Sequence, residues 1–247
     1  MTDTRRADSE AVERALAQAG SRARGTASAG GVRAAADAAR RLSTRAAAEG
    51  LADVSYAPAD SPFGPLLLAA TRRGLVRLAF PEEDIDSVLE RLAHKISPRI
   101  VEAPAPLEPA RRELEEYFGG GRRSFGLKLD WALVGDFGRR VLRVTSQIPY
   151  GGVLSYAEVA ADAGSPRGSR AAGNALGANP LPIVIPCHRV LRSGGALGGY
   201  GGGPERKRWL LELEGALTPT ASAGVAVARS PRPRTETATR RAEGAAE

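Results

Sequence analysis

The chain contains 247 residues, with a formal net charge of +7 at pH 7, one cysteine and two histidines. A single cysteine excludes an internal disulfide bond, and so few thiol and imidazole ligands exclude a zinc site with recognisable spacing. No apolar stretch approaches the roughly 20 residues that cross a bilayer, and the first thirty residues lack the hydrophobic core of a secretory signal. We therefore expect a cytoplasmic protein with no membrane partner, no bound metal and no other cofactor.

The two ends of the chain are predicted to be extensions rather than parts of a core. Residues 1–50 are rich in Ala, Arg, Ser and Gly, and we expect a weakly ordered arm with short helices at about 8–19 and 32–48. Residues 217–247 are predicted to be a disordered tail. Both extensions are basic and are interpreted as solvated segments, with non-specific DNA contact as the alternative.

Residues 51–134 predict a small α/β domain. The apolar runs Leu66–Ala70 and Leu75–Phe80 flank Gly74, which is typical of a β-hairpin whose turn needs a glycine. Alternation in Phe125–Asp130 predicts a further strand. Helical spacing appears in two apolar series, Ile85, Val88, Leu89, Leu92 and then Leu107, Leu114, Phe118.

Residues 135–216 predict a mostly helical domain. An apolar helical face runs over 137–148, and Ser155 and Glu158 form a capping-box pattern that begins a helix ending at Gly164. Ser165 and Pro166 are predicted as the N-cap and first turn of a second helix at about 167–177. Two helices joined by a short glycine-containing turn indicate a helix-turn-helix.

The charge of the two predicted domains differs. Residues 135–216 hold ten Lys and Arg against six Asp and Glu, whereas residues 51–134 hold eleven against thirteen. The excess of positive charge favours a nucleic-acid-binding face on the helical domain, and a merely basic surface is the alternative.

The helical domain also contains the lone thiol, beside one of the two imidazoles, in the run Pro186-Cys187-His188-Arg189-Val190. An isolated cysteine is usually a small buried hydrophobe. Here, however, the whole stretch from Asn179 to Val190 resembles the active-site signature of the O6-alkylguanine-DNA alkyltransferases, the methylated-DNA–protein-cysteine methyltransferase family. The resemblance covers about residues 54–216 and is strongest from Ser155 to Gly215.

This resemblance implies both a fold and an activity. The fold would be a small ribonuclease H-like α/β domain followed by a mostly α, winged helix-turn-helix-like domain. The activity would be direct-reversal repair of double-stranded DNA by a monomer that moves the alkyl group of O6-alkylguanine onto its own Cys187 once per molecule. O4-alkylthymine is a further candidate substrate.

The resemblance also implies a role for each residue around the thiol. The thiolate is the nucleophile, and an ordinary thiol with a pKa of about 8.5 is mostly neutral at pH 7. His188 would take the proton of Cys187 through a bridging water, and Glu214 would orient the imidazole. Glu212, two residues away on another helix face, is the competing carboxylate. Asn179 would hold the turn before the cysteine.

For DNA, the resemblance implies that the second helix enters the minor groove. Arg170 would fill the gap left by the extruded nucleotide, because the alkylated atom is shielded within the duplex. The Tyr156 hydroxyl would face the extruded guanine and donate a proton to the leaving base. Arg139, Arg140 and Arg167 are candidate phosphate contacts or solvated charges. The remaining predicted DNA contacts are Ser155, Ser169, Ala171 and Gly173.

The run 194–203 contains seven glycines in ten residues. It is not a nucleotide P-loop, because no Gly-Lys-Ser/Thr follows. The resemblance implies a substrate-binding loop, with a pocket formed by Pro182, Val190, Gly198, Tyr200 and Gly201. The family often has a serine where this chain has Gly201, so we expect backbone amides to replace that side-chain donor.

Three other functions fit parts of the pattern. A non-catalytic alkyltransferase-like DNA binder would lack the reactive thiol, and Cys187 argues against it. A methylation-responsive transcription regulator would need a further zinc-binding domain. A cysteine hydrolase could use Cys187, His188 and Asn179, but these lie within ten positions, whereas hydrolase triads are assembled from distant segments.

Overall fold

The computed structural model describes residues 49–218 together with 37–38, 41–43, 45–47 and 226–227. The pieces between 37 and 47 are helical and lie within the helix predicted at 32–48, whereas the helix predicted at 8–19 lies outside the described residues. None of the described helices is long and apolar enough to span a membrane.

A four-stranded sheet forms the first domain. Its strands are β1 (Val54–Ala59), β2 (Leu66–Thr71), β3 (Gly74–Ala79) and β4 (Ile100–Glu102), in the order β3-β2-β1-β4. The pairs β1–β2 and β2–β3 are antiparallel, and β1–β4 is parallel. Two helices accompany the sheet, α1 (Ile85–Lys95) and α2 (Glu108–Phe118).

The predicted hairpin is confirmed and requires its glycine. Gly74 has a φ of +136°, and a Cβ there would lie 2.2 Å from the carbonyl oxygen of Lys128. A side chain at this position would therefore meet both a disfavoured backbone conformation and a steric clash.

Strand β2 is buried on both faces, which explains its uninterrupted apolar run. Leu66 and Leu68 belong to the main core, which also contains Leu114 of α2. Leu67 belongs to a second core beneath Val88 of α1. The sheet is thus covered by different packing partners on its two sides.

The strand predicted at Phe125–Asp130 is wrong apart from a single bridge. Leu75 donates its N–H to the carbonyl of Lys128 at 2.9 Å, and Asp130 donates back to the carbonyl of Leu75 at 2.8 Å. The N–H of Gly126 instead binds the carboxylate of Glu113 at 2.8 Å. The Glu113 side chain therefore occupies a backbone N–H that a continuous β-ladder would use for strand pairing.

Four further helices and a short parallel pair form the second domain. The helices are α3 (Asp136–Ser146), α4 (Tyr156–Asp162), α5 (Ser169–Gly177) and α6 (Gly203–Leu213), and the strands are β5 (Leu154–Ser155) and β6 (Val190–Leu191). Helices α4 and α5 pack together as the predicted helix-turn-helix. The predicted two-domain architecture is confirmed.

The start of α4 follows the prediction and the start of α5 does not. Ser155 accepts a hydrogen bond from the N–H of Glu158, whose carboxylate accepts one from the N–H of Ser155, which completes the capping box. Helix α5 begins at Ser169 with Gly168 as its N-cap, so Ser165 is not the cap. The carbonyl of Ser165 accepts the N–H of Gly168 in a tight turn, which moves the N-cap three residues further along the chain.

The tail predicted to be disordered from 217 contains one short ladder. Strand β7 (Leu217–Thr218) pairs antiparallel with β8 (Ala226–Val227). Leu217 is buried in a small apolar cluster with Leu191 and Leu211, which explains why this part of the tail is ordered. Residues 219–225 and 228–247 lie outside the described residues.

The two domains share one core and meet beside the cysteine segment. The main apolar cluster contains Leu68 of the sheet together with Leu142 of α3 and Ile185 of the segment before Cys187. In addition, Leu78 of β3 donates its N–H to the carbonyl of Pro180 at 2.8 Å. Strand β3 is therefore hydrogen-bonded to the turn that leads to the thiol.

Candidate active site

Asn179 organises the turn that presents the thiol. Its side-chain oxygen accepts the N–H of Leu181 at 3.0 Å, and its amide nitrogen donates to the carbonyl of Ile185 at 2.9 Å. The same amide nitrogen lies 3.2 Å from the Sγ atom of Cys187. One buried side chain thus closes the turn and supplies a hydrogen bond to the sulfur.

The turn contains a residue in an unfavourable backbone conformation. Ile183 has a φ of +74°, and it is the only residue other than glycine with a positive φ among those described. A β-branched residue rarely adopts this conformation. Its side chain is completely buried in the main core, so packing offsets the local strain.

Cys187 lies at the start of a short 3₁₀ helix, Cys187–Arg189, and is 7% exposed. Burial raises the pKa of its thiol to about 11, although the hydrogen bond from Asn179 and the charge of Lys207 oppose that rise. The resting thiol is therefore neutral at pH 7. A reaction at this sulfur requires a group that removes its proton.

His188 is suited to accept that proton. Its Nε2 atom lies 2.9 Å from the carboxylate of Glu214, and both side chains are buried. Burial lowers the pKa of His188, although Glu214 opposes that effect, so the imidazole is neutral at pH 7. A neutral ring that donates from Nε2 leaves Nδ1 as an acceptor, and Nδ1 has no hydrogen-bond partner among the described residues.

Glu214 is held by several donors besides His188. Arg189 donates to it from Nε and Nη2, both at 2.9 Å, and the hydroxyl of Tyr117 donates at 2.6 Å. Burial alone would raise the pKa of Glu214, but the hydrogen bonds from His188 and Arg189 lower it to about 2. The carboxylate is therefore charged and fixed in position. Glu212 is exposed and does not reach this cluster.

A buried lysine forms the other side of the site. The Nζ atom of Lys207, on α6, donates to the carbonyls of Val190 at 2.6 Å and Gly199 at 3.3 Å. Burial lowers the pKa of Lys207 to about 8, although the Cys187 sulfur opposes that effect. A cation at this position favours the thiolate over the thiol.

A cavity of about 490 Å³ opens beside the sulfur. Its lining includes Cys187, Tyr156, Tyr200 and Gly201, so the predicted thiol, tyrosines and glycine loop are brought together. The hydroxyl of Tyr156 donates to the carbonyl of Gly199 at 3.2 Å. The hydroxyl of Tyr200 is buried and has no hydrogen-bond partner among the described residues. The cavity thus presents the Tyr156 hydroxyl to a polar ligand, whereas the Tyr200 hydroxyl lies beneath the surface of the lining.

The other residues predicted for this pocket do not line the cavity itself. Pro182 and Val190 are buried and are not part of the cavity lining. Gly198 packs against Tyr156, because a Cβ at Gly198 would lie 3.0 Å from the tyrosine hydroxyl. This glycine therefore allows the loop to approach the tyrosine.

Helix α5 forms the outer wall of the cavity. Arg170 is exposed on its first turn and lines the cavity, and the neighbouring Ala171 is also exposed. A Cβ at Gly173 would lie 3.7 Å from the ring of Tyr156, an ordinary van der Waals distance, so the two residues are direct neighbours. Ser169 is the first residue of α5, and Ser155 caps the preceding helix α4.

The three other predicted cationic contacts fall into two groups. Arg140 donates from Nε to the carbonyl of Ala163 at 3.2 Å, and Arg139 donates to the carbonyl of Trp131 at 3.4 Å. Both are therefore tied to the protein backbone. Arg167 is exposed in the turn between α4 and α5.

Sequence reasoning missed several residues of the site. Tyr117 contacts Glu214 across 97 positions, and no local pattern could indicate this pairing. Lys207 lies seven residues before Glu214, and Leu210 and Leu211 are buried on the same side of α6. A lysine within an apolar helical stripe is unusual, and this pattern could have indicated a buried cation at the site. Arg192 of the loop after β6 also lines the cavity and was not predicted.

The comparisons with known proteins cover both domains. The family model described as "6-O-methylguanine DNA methyltransferase, ribonuclease-like domain" matches residues 54–131. The model described as "6-O-methylguanine DNA methyltransferase, DNA binding domain" matches residues 136–216. These two matches together span more than half of the chain.

Individual relatives agree with these matches. The methylated-DNA–protein-cysteine methyltransferase of Mycobacterium tuberculosis is 40% identical over 166 residues, which are 67% of this chain and 95% of that protein. The constitutive methylated-DNA–protein-cysteine methyltransferase of Bacillus subtilis is 38% identical over 163 residues, 64% of this chain and 94% of that protein. The crystal structure of Mycobacterium tuberculosis OGT in complex with DNA matches with a TM-score of 0.57 and 40% identity, covering 65% of this chain and 92% of that one.

Proposed function

The chain belongs to the 6-O-methylguanine DNA methyltransferase family, and we propose that it repairs O6-alkylguanine in double-stranded DNA by moving the alkyl group irreversibly onto Cys187. One observation carries this proposal. The buried thiol lines a cavity between the helix-turn-helix and the glycine loop, and the adjacent His188 is neutral with a free Nδ1 acceptor among the described residues. The cavity supplies room for a nucleobase, and the imidazole is an acceptor for the thiol proton.

The proposed reaction begins with the loss of the thiol proton. A water between Cys187 and Nδ1 of His188 passes the proton to the imidazole, and the imidazolium is stabilised by the fixed charge of Glu214. The buried charge of Lys207 stabilises the thiolate that forms. Glu214 and Lys207 therefore stabilise the ion pair that forms, whereas His188 acts on the resting thiol.

The thiolate then attacks the alkyl carbon. A carbon–sulfur bond forms while the bond from that carbon to the guanine O6 breaks, and the electron pair stays on the leaving guanine. The hydroxyl of Tyr156 gives the guanine a proton, and the proton held by His188 restores the tyrosine. The products are S-alkylcysteine and an unmodified guanine, and no step of the proposed reaction releases the alkyl group from the sulfur.

Access to the cavity is proposed to require extrusion of the damaged nucleotide. Arg170 stands at the cavity on the first turn of α5, where a planar cation can stack in the gap that the nucleotide leaves. The small neighbours Ala171 and Gly173 permit close approach of the helix to a minor groove.

We further propose that the protein works in the cytoplasm, and that residues 51–134 and 135–216 are its two domains.

Mass spectrometry tests the central claim. Incubation with an excess of duplex DNA that contains O6-methylguanine is expected to add the mass of one methylene, once, to the peptide that contains Cys187. Cys187→Ser is expected to gain no mass under the same conditions. A methyl group on another residue, or continued turnover by a single protein molecule, would contradict the proposed mechanism.

A further inference from the structure

Arg192 stands where the glycine loop leaves strand β6. Its backbone is fixed at the base of a turn, because its N–H donates to the carbonyl of Ala196 at 2.8 Å and its carbonyl accepts the N–H of Gly195 at 3.0 Å. Its Cγ atom lies 3.3 Å from the position of a Cβ on Gly198, which is also 3.1 Å from the ring of Tyr156. The aliphatic part of the Arg192 side chain therefore lies near Tyr156, the residue that is proposed to donate a proton to the guanine.

The guanidinium of Arg192 is exposed and lines the cavity that contains Cys187. Within residues 49–218, no hydrogen bond or ion pair of its side chain is found. Two arginines near the site differ, since Arg189 binds Glu214 and Arg206 binds Glu82. A solvated guanidinium at a cavity mouth has all of its donors available for a ligand.

The charge of the cavity favours an anion. Its lining contains Arg170 and Arg192 and no Asp or Glu. Burial raises the pKa of Tyr156, and the nearby charge of Arg192 opposes that rise, as expected for a cation close to the tyrosine hydroxyl. Two cations from different elements, helix α5 and the glycine loop, therefore border the same opening.

We propose that Arg192 binds a backbone phosphate of the extruded nucleotide. This inference rests on the proposed function, because a base that occupies the cavity beside Cys187 leaves its sugar and phosphate at the opening. A guanidinium can bind two phosphate oxygens at once, which suits it to hold the nucleotide in one orientation. Arg170 fills the gap inside the duplex, whereas Arg192 holds the nucleotide outside it.

An anionic alkyl group on O6 is the other ligand that a cation could recognise. Such a group would lie next to the sulfur, where the neighbouring cation is the buried Lys207. Arg192 is exposed, so its position matches the solvent-facing backbone better than the reacting group. The phosphate is therefore the ligand that the geometry favours.

The test compares Arg192→Gln with Arg208→Gln, which removes the same charge from an exposed position on α6. Arg192→Gln is expected to slow methyl transfer from duplex DNA about tenfold, because it loses a charge-assisted hydrogen bond. It should also lower the slope of log affinity against log salt concentration by about one. Reaction with free O6-benzylguanine, which has no phosphate, should be unchanged, and Arg208→Gln should match the wild type throughout.

Methylphosphonate linkages identify the contact directly. Duplexes that carry one neutral linkage beside the O6-methylguanine, on either side in turn, are expected to react about tenfold more slowly with the wild type at one of the two positions. Arg192→Gln should show no additional loss at that same linkage. Equal losses for the wild type and the variant at both linkages would overturn the assignment.

Three further outcomes keep this inference separate from the proposed function. If Arg192→Gln slows only the repair of O6-carboxymethylguanine, Arg192 recognises the alkyl group and the phosphate assignment is wrong. If the wild type captures no alkyl group, the proposed function fails. If the wild type captures the group and Arg192→Gln behaves like Arg208→Gln, only this inference fails.

Discussion

The two charged clusters of the second domain are constructed in opposite ways. Glu214 is buried and receives hydrogen bonds from His188, Arg189 and Tyr117, so its charge is neutralised within the protein. Arg170 and Arg192 stand at the cavity opening, exposed and without a carboxylate beside them in the cavity lining. A charge that orients another side chain needs fixed partners, whereas a charge that binds a ligand must keep its donors free.

The strongest way to break this contrast is Glu214→Gln. The substitution leaves Arg189 buried without its counter-ion, and the free energy of unfolding should fall by about 3–5 kcal/mol. Methyl transfer by the folded fraction should slow by about two to four orders of magnitude, because His188 loses the group that orients and stabilises it. Urea unfolding and single-turnover kinetics measure the two effects, and Glu212→Gln, at an exposed position on the same helix, should change neither.

The pH dependence of the free energy of unfolding distinguishes the contribution of the Glu214 charge from that of its packing. Its pKa is about 2 in the folded protein, below the ordinary value of 4.5, so its stabilisation is complete above about pH 5 and is lost as the pH falls toward 2. Glu214→Gln cannot titrate and should lose less stability over that range than the wild type. Parallel curves for the two proteins between pH 5 and pH 3 would mean that Glu214 is not ionised in the fold.

The parts of the fold and the site that depend on neighbouring residues could be predicted from the sequence, whereas the parts that depend on long-range contacts could not. The capping box at Ser155 and the hairpin at Gly74 each depend on neighbouring residues, and both were predicted correctly. Tyr117 reaches Glu214 only because the first domain packs against the second. The N-cap predicted at Ser165 was wrong for a related reason, since a tight turn at Gly168 replaced the local capping preference.

Arg170→Ala tests the exposed side of the contrast. In duplex DNA the variant must extrude the nucleotide without a side chain to fill the gap, so methyl transfer should slow by about tenfold or more. Reaction with free O6-benzylguanine should keep its rate, because no base has to leave a stack. Arg167→Ala, at an exposed position in the preceding turn, is the matched control and should have a smaller effect. Equal slowing with the duplex and the free base would mean that Arg170 supports the fold.

The smallest effect is expected at the glycine loop. Gly201 lines the cavity, its φ is outside the left-handed region, and a Cβ there would meet nothing within 4 Å. Gly201→Ser should therefore fold normally and leave methyl transfer unchanged or raise it by up to about tenfold, through a new hydrogen bond to the guanine O6. Gly198→Ser is the contrasting control, because Gly198 has a φ of +69° and a Cβ there would lie 3.0 Å from the hydroxyl of Tyr156. Gly198→Ser should slow the reaction by displacing that tyrosine, and a clear fall for Gly201→Ser as well would show that the loop needs both glycines for its backbone.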